Sequence, residues 1–173
     1  MKKELFYVLV AICLFTHICR TVYEILKHKQ LLKPGKLSFV IMFANMVLLW
    51  VSWFLLCMND ISGISNHVII KYTGLTLSGI GIIAFLSGLF TIKTLESYDG
   101  DLITGGIYKW IRHPMYLGFI LWLIGFPLYF GALYAFILAF IFITNVLFWR
   151  YLEEKELLKR FPSYGDYRKT TLF

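Results

Sequence analysis

Residues 112–154 read RHPMYLGFILWLIGFPLYFGALYAFILAFIFITNVLFWRYLEE. The stretch is polar at both ends and apolar between, and its middle carries Pro127 and Gly131, residue types that turn a chain. It reads as two membrane helices, 115–130 and 132–150, joined by almost no loop. A hairpin returns the chain to the membrane face it left. Arg112-His113-Pro114-Met115-Tyr116-Leu117-Gly118 and Glu153-Glu154 are therefore expected to meet in one pocket. Gly118, Gly125 and Ala132 are expected to let the two helices approach closely.

Working outward, three further apolar stretches, 5–26, 37–58 and 67–92, are each long enough to cross a hydrocarbon core of about 30 Å. Composition agrees: hydrophobic residues make up 59% and charged residues 16% of the 173 residues, with a mean hydropathy of +0.72. A soluble domain carries roughly 25% charged residues. The fold class expected is an all-α integral membrane protein, a bundle of about five transmembrane helices. It forms a single membrane domain over 1–173, of which 1–92 supplies three N-terminal spans and 93–173 the chemistry-bearing region. A separate soluble domain has no room in this length.

The opening Met1-Lys2-Lys3 before an apolar run resembles a secretory leader, but Glu4 interrupts it and no small-x-small cleavage site follows; the segment is expected to remain as an anchor. Lys2, Lys3 and Lys71 fall on one side of the bundle, and the other 14 of the 17 basic residues at or beside the opposite face. The positive-inside rule then puts the N-terminus outside and the C-terminus and pocket in the cytoplasm. A net charge of +7 needs no nucleic acid, because juxtamembrane lysines suit an anionic leaflet.

Cys13, Cys19 and Cys57 all lie inside apolar spans and form no disulfide framework. Cys13 and His17 share a helical face, but two ligands do not complete a metal site, so no metal is expected. Gly79-x-Gly81-x-x-Ala84 matches a dinucleotide fingerprint in letters only: that pattern works at a strand-to-helix turn, and here it lies mid-membrane. With Gly74, Ser78 and Gly88 it reads as a helix-packing surface. In span one, His17, Arg20 and Glu24 lie near one face. Arg20 and Glu24 could line a watery cavity or pair and snorkel, whereas His17 could line a substrate passage or, as is expected, hydrogen-bond a neighbouring helix.

Residues 93–113 form the longest polar connection. Asp99-Gly100 and Gly105-Gly106 are turn signals that let backbone approach a ligand, and Pro114 suits a helix's first turn with His113 near its N-cap. A helix N-terminus beside Arg112 favours anions, though an anchor of basic residues would look the same. At the other end, Arg150 stands three and four residues before Glu153 and Glu154, within reach on one helix face. Such carboxylates could bind a cation, a ribose or an ammonium group, or simply balance Lys155, Lys159 and Arg160.

Leu102-Ile103-Thr104-Gly105-Gly106-Ile107-Tyr108, then the Arg112-to-Gly118 island, a hairpin, Glu153-Glu154-Lys155-Glu156-Leu157, and Phe161 with Tyr164 and Tyr167 together resemble the isoprenylcysteine carboxyl methyltransferase family and its phospholipid methyltransferase relatives. The resemblance covers roughly residues 93–170 and leaves the first three spans with no role beyond being apolar. It implies an S-adenosylmethionine-dependent methyltransferase acting on a lipophilic or membrane-embedded acceptor. It further implies that Leu102, Ile103, Tyr108, His113, Pro114, Met115, Tyr116, Glu153 and Glu154 hold the cofactor, with Lys93 at a further cofactor-side position. Arg150 and Glu154 would be catalytic, with Arg150 meeting the acceptor. A carboxylate acceptor is already nucleophilic and needs only orientation, whereas an amine must first lose a proton. Three other readings are a phospholipid amine N-methyltransferase, an NADPH-dependent sterol-reductase-like enzyme, which shares the His-Pro-x-Tyr arrangement, and a non-enzymatic membrane scaffold that keeps the motif.

Overall fold

The computed structural model describes residues 2–62, 67–92 and 101–173. Five long helices run back and forth: α1 (Lys2–His28), α2 (Lys36–Met58), α3 (Val68–Ile92), α4 (Pro114–Phe130) and α5 (Leu133–Arg160). A 3-10 turn, Gly106–Lys109, precedes α4, and a short α6 (Tyr164–Thr170) follows α5. The protein is a multi-pass, all-α membrane bundle. Helices α1, α2, α3 and α5 are long and apolar enough to span a bilayer, while α4 has 17 residues. At 1.5 Å per residue α4 covers about 26 Å, just short of the hydrocarbon thickness.

The helix boundaries have local causes. Pro114 occupies the first position of α4, where its missing N–H costs nothing, and His113 is the N-cap. Gly131 ends α4 with φ 69°, a left-handed conformation that lets the Ala132 N–H reach the Pro127 carbonyl at 2.9 Å. The orphan N–H groups that open α5 are met from the α2–α3 connection. Ala135 donates to Asp60 Oδ2 at 2.9 Å and Leu133 to Ser62 Oγ at 3.2 Å. The α4–α5 hairpin is thus pinned to the α2 end of the bundle.

The core lies between α1, α2, α4 and α5, around Trp53, Trp149, Phe142, Leu49, Leu56, Leu123 and Val146. His17 belongs to it: its ring stacks on Phe142 at 4.1 Å and Nδ1 faces the Asn145 amide at 3.2 Å, the interhelix bond expected of it. Cys13 is a buried hydrogen-bond donor to Ser52, at 3.3 Å.

The tightest helix pair is α3 against α4, and here the structure corrects the expected role of the α4 glycines. Gly118 and Gly125 face α3, not α5. A Cβ built on Gly81 would lie 2.6 Å from the Gly118 carbonyl oxygen, and one on Gly74 would lie 2.6 Å from that of Gly125. The two backbones touch, which only glycine permits. Glycines spaced by seven, 74-81-88 and 118-125, recur once every two turns and keep one seam. Ser78, Ala84 and Gly88 share this surface, as expected, whereas Gly79 has open space beside it and takes no part.

Candidate functional site

A cavity of about 360 Å³ opens at the end of the bundle where α1, α3 and α5 finish and α2 and α4 begin. That size suits a small-molecule ligand, for which pockets run roughly 300–1,000 Å³. Both polar islands reach it. Leu102, Ile103, Tyr108, His113, Met115, Tyr116 and Glu153 line it, and Phe161, Tyr164 and Tyr167 of the C-terminal tail close over it. The Tyr116 hydroxyl hydrogen-bonds the Glu153 carboxylate, so the polar end pairs a residue from the start of α4 with one from the end of α5.

Small residues make the approach of these elements possible. A Cβ on Gly88 would stand 2.9 Å from Pro114 Cγ and 3.3 Å from the Tyr108 hydroxyl, so this glycine admits both the 3-10 turn and the first turn of α4. Gly106, at φ 59°, sets the turn itself. The Asp99-Gly100 turn signal and Lys93 lie outside the described residues.

Three of the expected site residues stand outside the lining: Pro114, Glu154 and Arg150. Pro114 is buried beneath Gly88. Glu154 is buried behind the cavity, at the centre of a charge cluster. Its Oε1 lies 3.3 Å from His113 Nε2 and 3.5 Å from both Arg112 Nε and Arg150 Nη2, and its Oε2 lies 3.9 Å from Arg168 Nη1. Among the described residues no hydrogen bond of good direction reaches Oε1, so the attraction is spread over several partners. This part of α5 extends beyond the apolar span. His113 first, then Arg150 and Arg168, hold the Glu154 carboxyl down to about 2 against the upward push of burial. Arg150 gives its other face to the Phe173 ring, 4.3 Å from the guanidinium. It meets Glu154 and the Phe173 ring of the tail and is not among the residues that line the cavity.

The same cluster locks the tail. Arg112 Nη1 donates to the Arg168 carbonyl at 2.9 Å and the Thr171 carbonyl at 2.5 Å, and its backbone N–H donates to the Leu172 carbonyl at 3.0 Å. A bridge between Ile111 and Leu172 completes this strap. Tyr167 donates its hydroxyl hydrogen to the Tyr108 carbonyl at 2.5 Å, and the Tyr164 hydroxyl lies 3.3 Å from His113 Nε2. Burial, reinforced by nearby carboxylates, pushes the Tyr108 and Tyr164 phenols well up, and burial raises Tyr167. All three stay neutral and able to donate hydrogen bonds at physiological pH.

The first three spans contribute more than apolar length. Arg20 and Glu24 of α1 form an ion pair, and both line the cavity. Phe39, Met42, Phe43, Met46 and Trp50 of α2, with Phe85 of α3, make the apolar wall. Nothing in their spacing marked them: Phe and Met on a lipid-facing helix look alike whether they meet lipid or a cavity. Helices α2 and α3 do not pack extensively on each other among the described residues; α2 rests on α1 and α4. Phe39 and Phe43 line the cavity yet remain 37% and 45% exposed, so this wall is one side chain thick toward the bilayer.

Residues 78–160 match the model of the isoprenylcysteine carboxyl methyltransferase family. The C-terminal half of the chain is similar to this family. The match runs from the middle of α3 to the end of α5 and includes the 3-10 turn, His113-Pro114-Met115-Tyr116 and both glutamates. Protein-S-isoprenylcysteine O-methyltransferase of Schizosaccharomyces pombe is 34% identical over 80 residues, which cover 45% of this chain and 34% of that protein. The protein of the same name from Saccharomyces cerevisiae is 50% identical over 34 residues, covering 20% of this chain and 14% of that protein. The chain is thus similar to no more than about a third of either relative's length. No solved structure matches.

Proposed function

We propose that this protein is an S-adenosylmethionine-dependent methyltransferase that esterifies the carboxylate of a prenylated cysteine or a similar lipophilic acid. One observation carries the reading. The segment similar to the family supplies Tyr108, Arg112, His113, Tyr116 and Glu153 to the polar end of a cavity whose other wall is apolar and thin toward lipid. A donor and a membrane-embedded acceptor can therefore meet without either crossing the bundle.

The residues fit the donor. S-adenosylmethionine supplies, when bound, a methyl group made electrophilic by a sulfonium cation. Glu153, fixed by the Tyr116 hydroxyl, offers a negative charge to such a cation. Tyr108, held neutral, and His113 offer hydrogen bonds to polar groups, while Leu102, Ile103 and Met115 pack against a flat ring. Glu154 and Arg150 act through position: Glu154 orients His113, and Arg150 steadies Glu154 and the tail. Tyr164 and Tyr167 line the polar end and exclude water from it. The acceptor enters between α2 and α3, leaving its apolar tail in lipid.

We place the cavity in the cytoplasm on the 14-to-3 division of basic residues. The assay is methyl incorporation from labelled S-adenosylmethionine into N-acetyl-S-farnesylcysteine by the protein in lipid nanodiscs, with the product released as methanol by mild base. Base-stable label would mark transfer to nitrogen or sulfur and refute ester formation. No incorporation into any prenylated acid would refute the acceptor class.

A further inference from the structure

Resting on that reading, we infer that Arg20 of α1 is the residue that binds the acceptor's carboxylate, so that the donor is held by the C-terminal half and the acceptor's anionic head by the first span. The need arises because Arg150, expected to meet the acceptor, lies outside the cavity. Among the described residues, four Lys and Arg side chains line it: Arg20, Lys27, Arg112 and Arg160. Arg112 also has a buried Nε without a hydrogen bond among the described residues, but that Nε already stands 3.5 Å from Glu154 Oε1, and its Nη1 is engaged by the tail carbonyls. Arg160 is exposed at the end of α5, with its guanidinium over Phe161 at 5.0 Å. Lys27 lies one to two turns beyond Arg20 toward the mouth, and an ammonium has no two-pronged edge for a carboxylate.

Arg20 differs. It is the deepest of the three α1 residues that line the cavity, its side chain is only 12% exposed, and its buried Nε–H has no hydrogen-bond partner among the described residues. An orphaned buried donor is costly, and a ligand that satisfies it recovers that cost on binding. Glu24 engages Nη2 and holds the guanidinium in place, while the rings of Tyr23 and Trp149 lie 5.7 and 6.0 Å from it. Glu153 and Tyr116 face Arg20 from α5 and α4. A carboxylate bound at Nε therefore sits beside the group assigned to the donor's cation. The apolar wall of α2 leads from this point to the gap beside α3. Head, tail and donor each have a place, and the acceptor's place belongs to helices outside the matched segment.

The test compares two probes, N-acetyl-S-farnesylcysteine and its methyl ester, binding to the full chain in nanodiscs, with S-adenosylmethionine titrated separately. The wild type is expected to prefer the acid. Arg20→Gln is expected to weaken the acid about tenfold, removing that preference, while the ester and S-adenosylmethionine keep their affinities within about twofold. Should Arg20→Gln fail to fold, Arg20→Gln with Glu24→Gln leaves no orphaned carboxylate and carries the same comparison. Persistence of the acid preference in a folded variant overturns the inference about Arg20 and leaves the methyltransferase reading standing. Loss of S-adenosylmethionine affinity instead would put Arg20 on the donor side and also overturn it. A wild type that binds neither S-adenosylmethionine nor the acid would overturn both.

Discussion

Glu153 and Glu154 are neighbours in sequence but point about 100° apart around α5 and meet different surroundings. Glu153 lines the cavity and accepts the Tyr116 hydroxyl, whereas Glu154 is buried behind it among His113, Arg112 and Arg150. The pair should therefore separate in experiment. Glu153→Gln is expected to weaken S-adenosylmethionine about tenfold with little change in melting temperature, since a charged contact is lost but no cluster is opened. Glu154→Gln is expected to cost about 3 kcal/mol of stability by leaving buried cations without their anion. Thermal melting and calorimetry on the two variants check this; equal effects on both readouts would contradict the division.

The Glu154 cluster also predicts an acid response. Its folded carboxyl is held near 2, below the ordinary value of 4.5. A depressed carboxyl contributes stability that is fully present above 4.5 and is lost as pH falls toward 2. The wild-type melting temperature is expected to fall more steeply across that window than that of Glu154→Gln, measured side by side in the same detergent.

The α3–α4 seam predicts a contrast between two glycines two residues apart. Gly81→Ala places a methyl 2.6 Å from the Gly118 carbonyl and is expected to cost about 1–3 kcal/mol. Gly79→Ala meets nothing within 4 Å and is expected to be neutral or mildly stabilising through helix propensity, by up to about 1 kcal/mol. Denaturation of both variants decides it.

For orientation, single cysteines placed at positions 2 and 173 of a chain otherwise free of cysteine are expected to react with an impermeant maleimide on intact cells at position 2 alone. Labelling at 173 from outside would put the cavity on the wrong side for a cytoplasmic donor.

Much of this architecture was legible in the sequence because a bilayer leaves few choices: five apolar runs became five helices with boundaries near those expected, and Pro114 opened the fourth and Gly131 closed it, while Pro127, expected to help turn the chain, lies within the helix. The meeting of the two polar islands followed from the hairpin. What stayed hidden depended on rotation about helix axes. Whether Gly118 faces α3 or α5, and whether position 150 or 153 points into the cavity, turns on about 100° per residue and on neighbours that a pattern of apolar letters does not name. Arg20 and Glu24 carried a signal, charge at membrane depth, whereas Phe39, Met42 and Phe43 carried none.

The central claim is that both polar islands build one site for S-adenosylmethionine, and titration calorimetry of that ligand and its demethylated product into the purified wild-type protein tests it most directly. Saturable heat from both, strongly reduced in Glu153→Gln while the variant still melts cooperatively, is the predicted result. Absence of heat and of any thermal stabilisation at millimolar ligand in a folded wild type would contradict it.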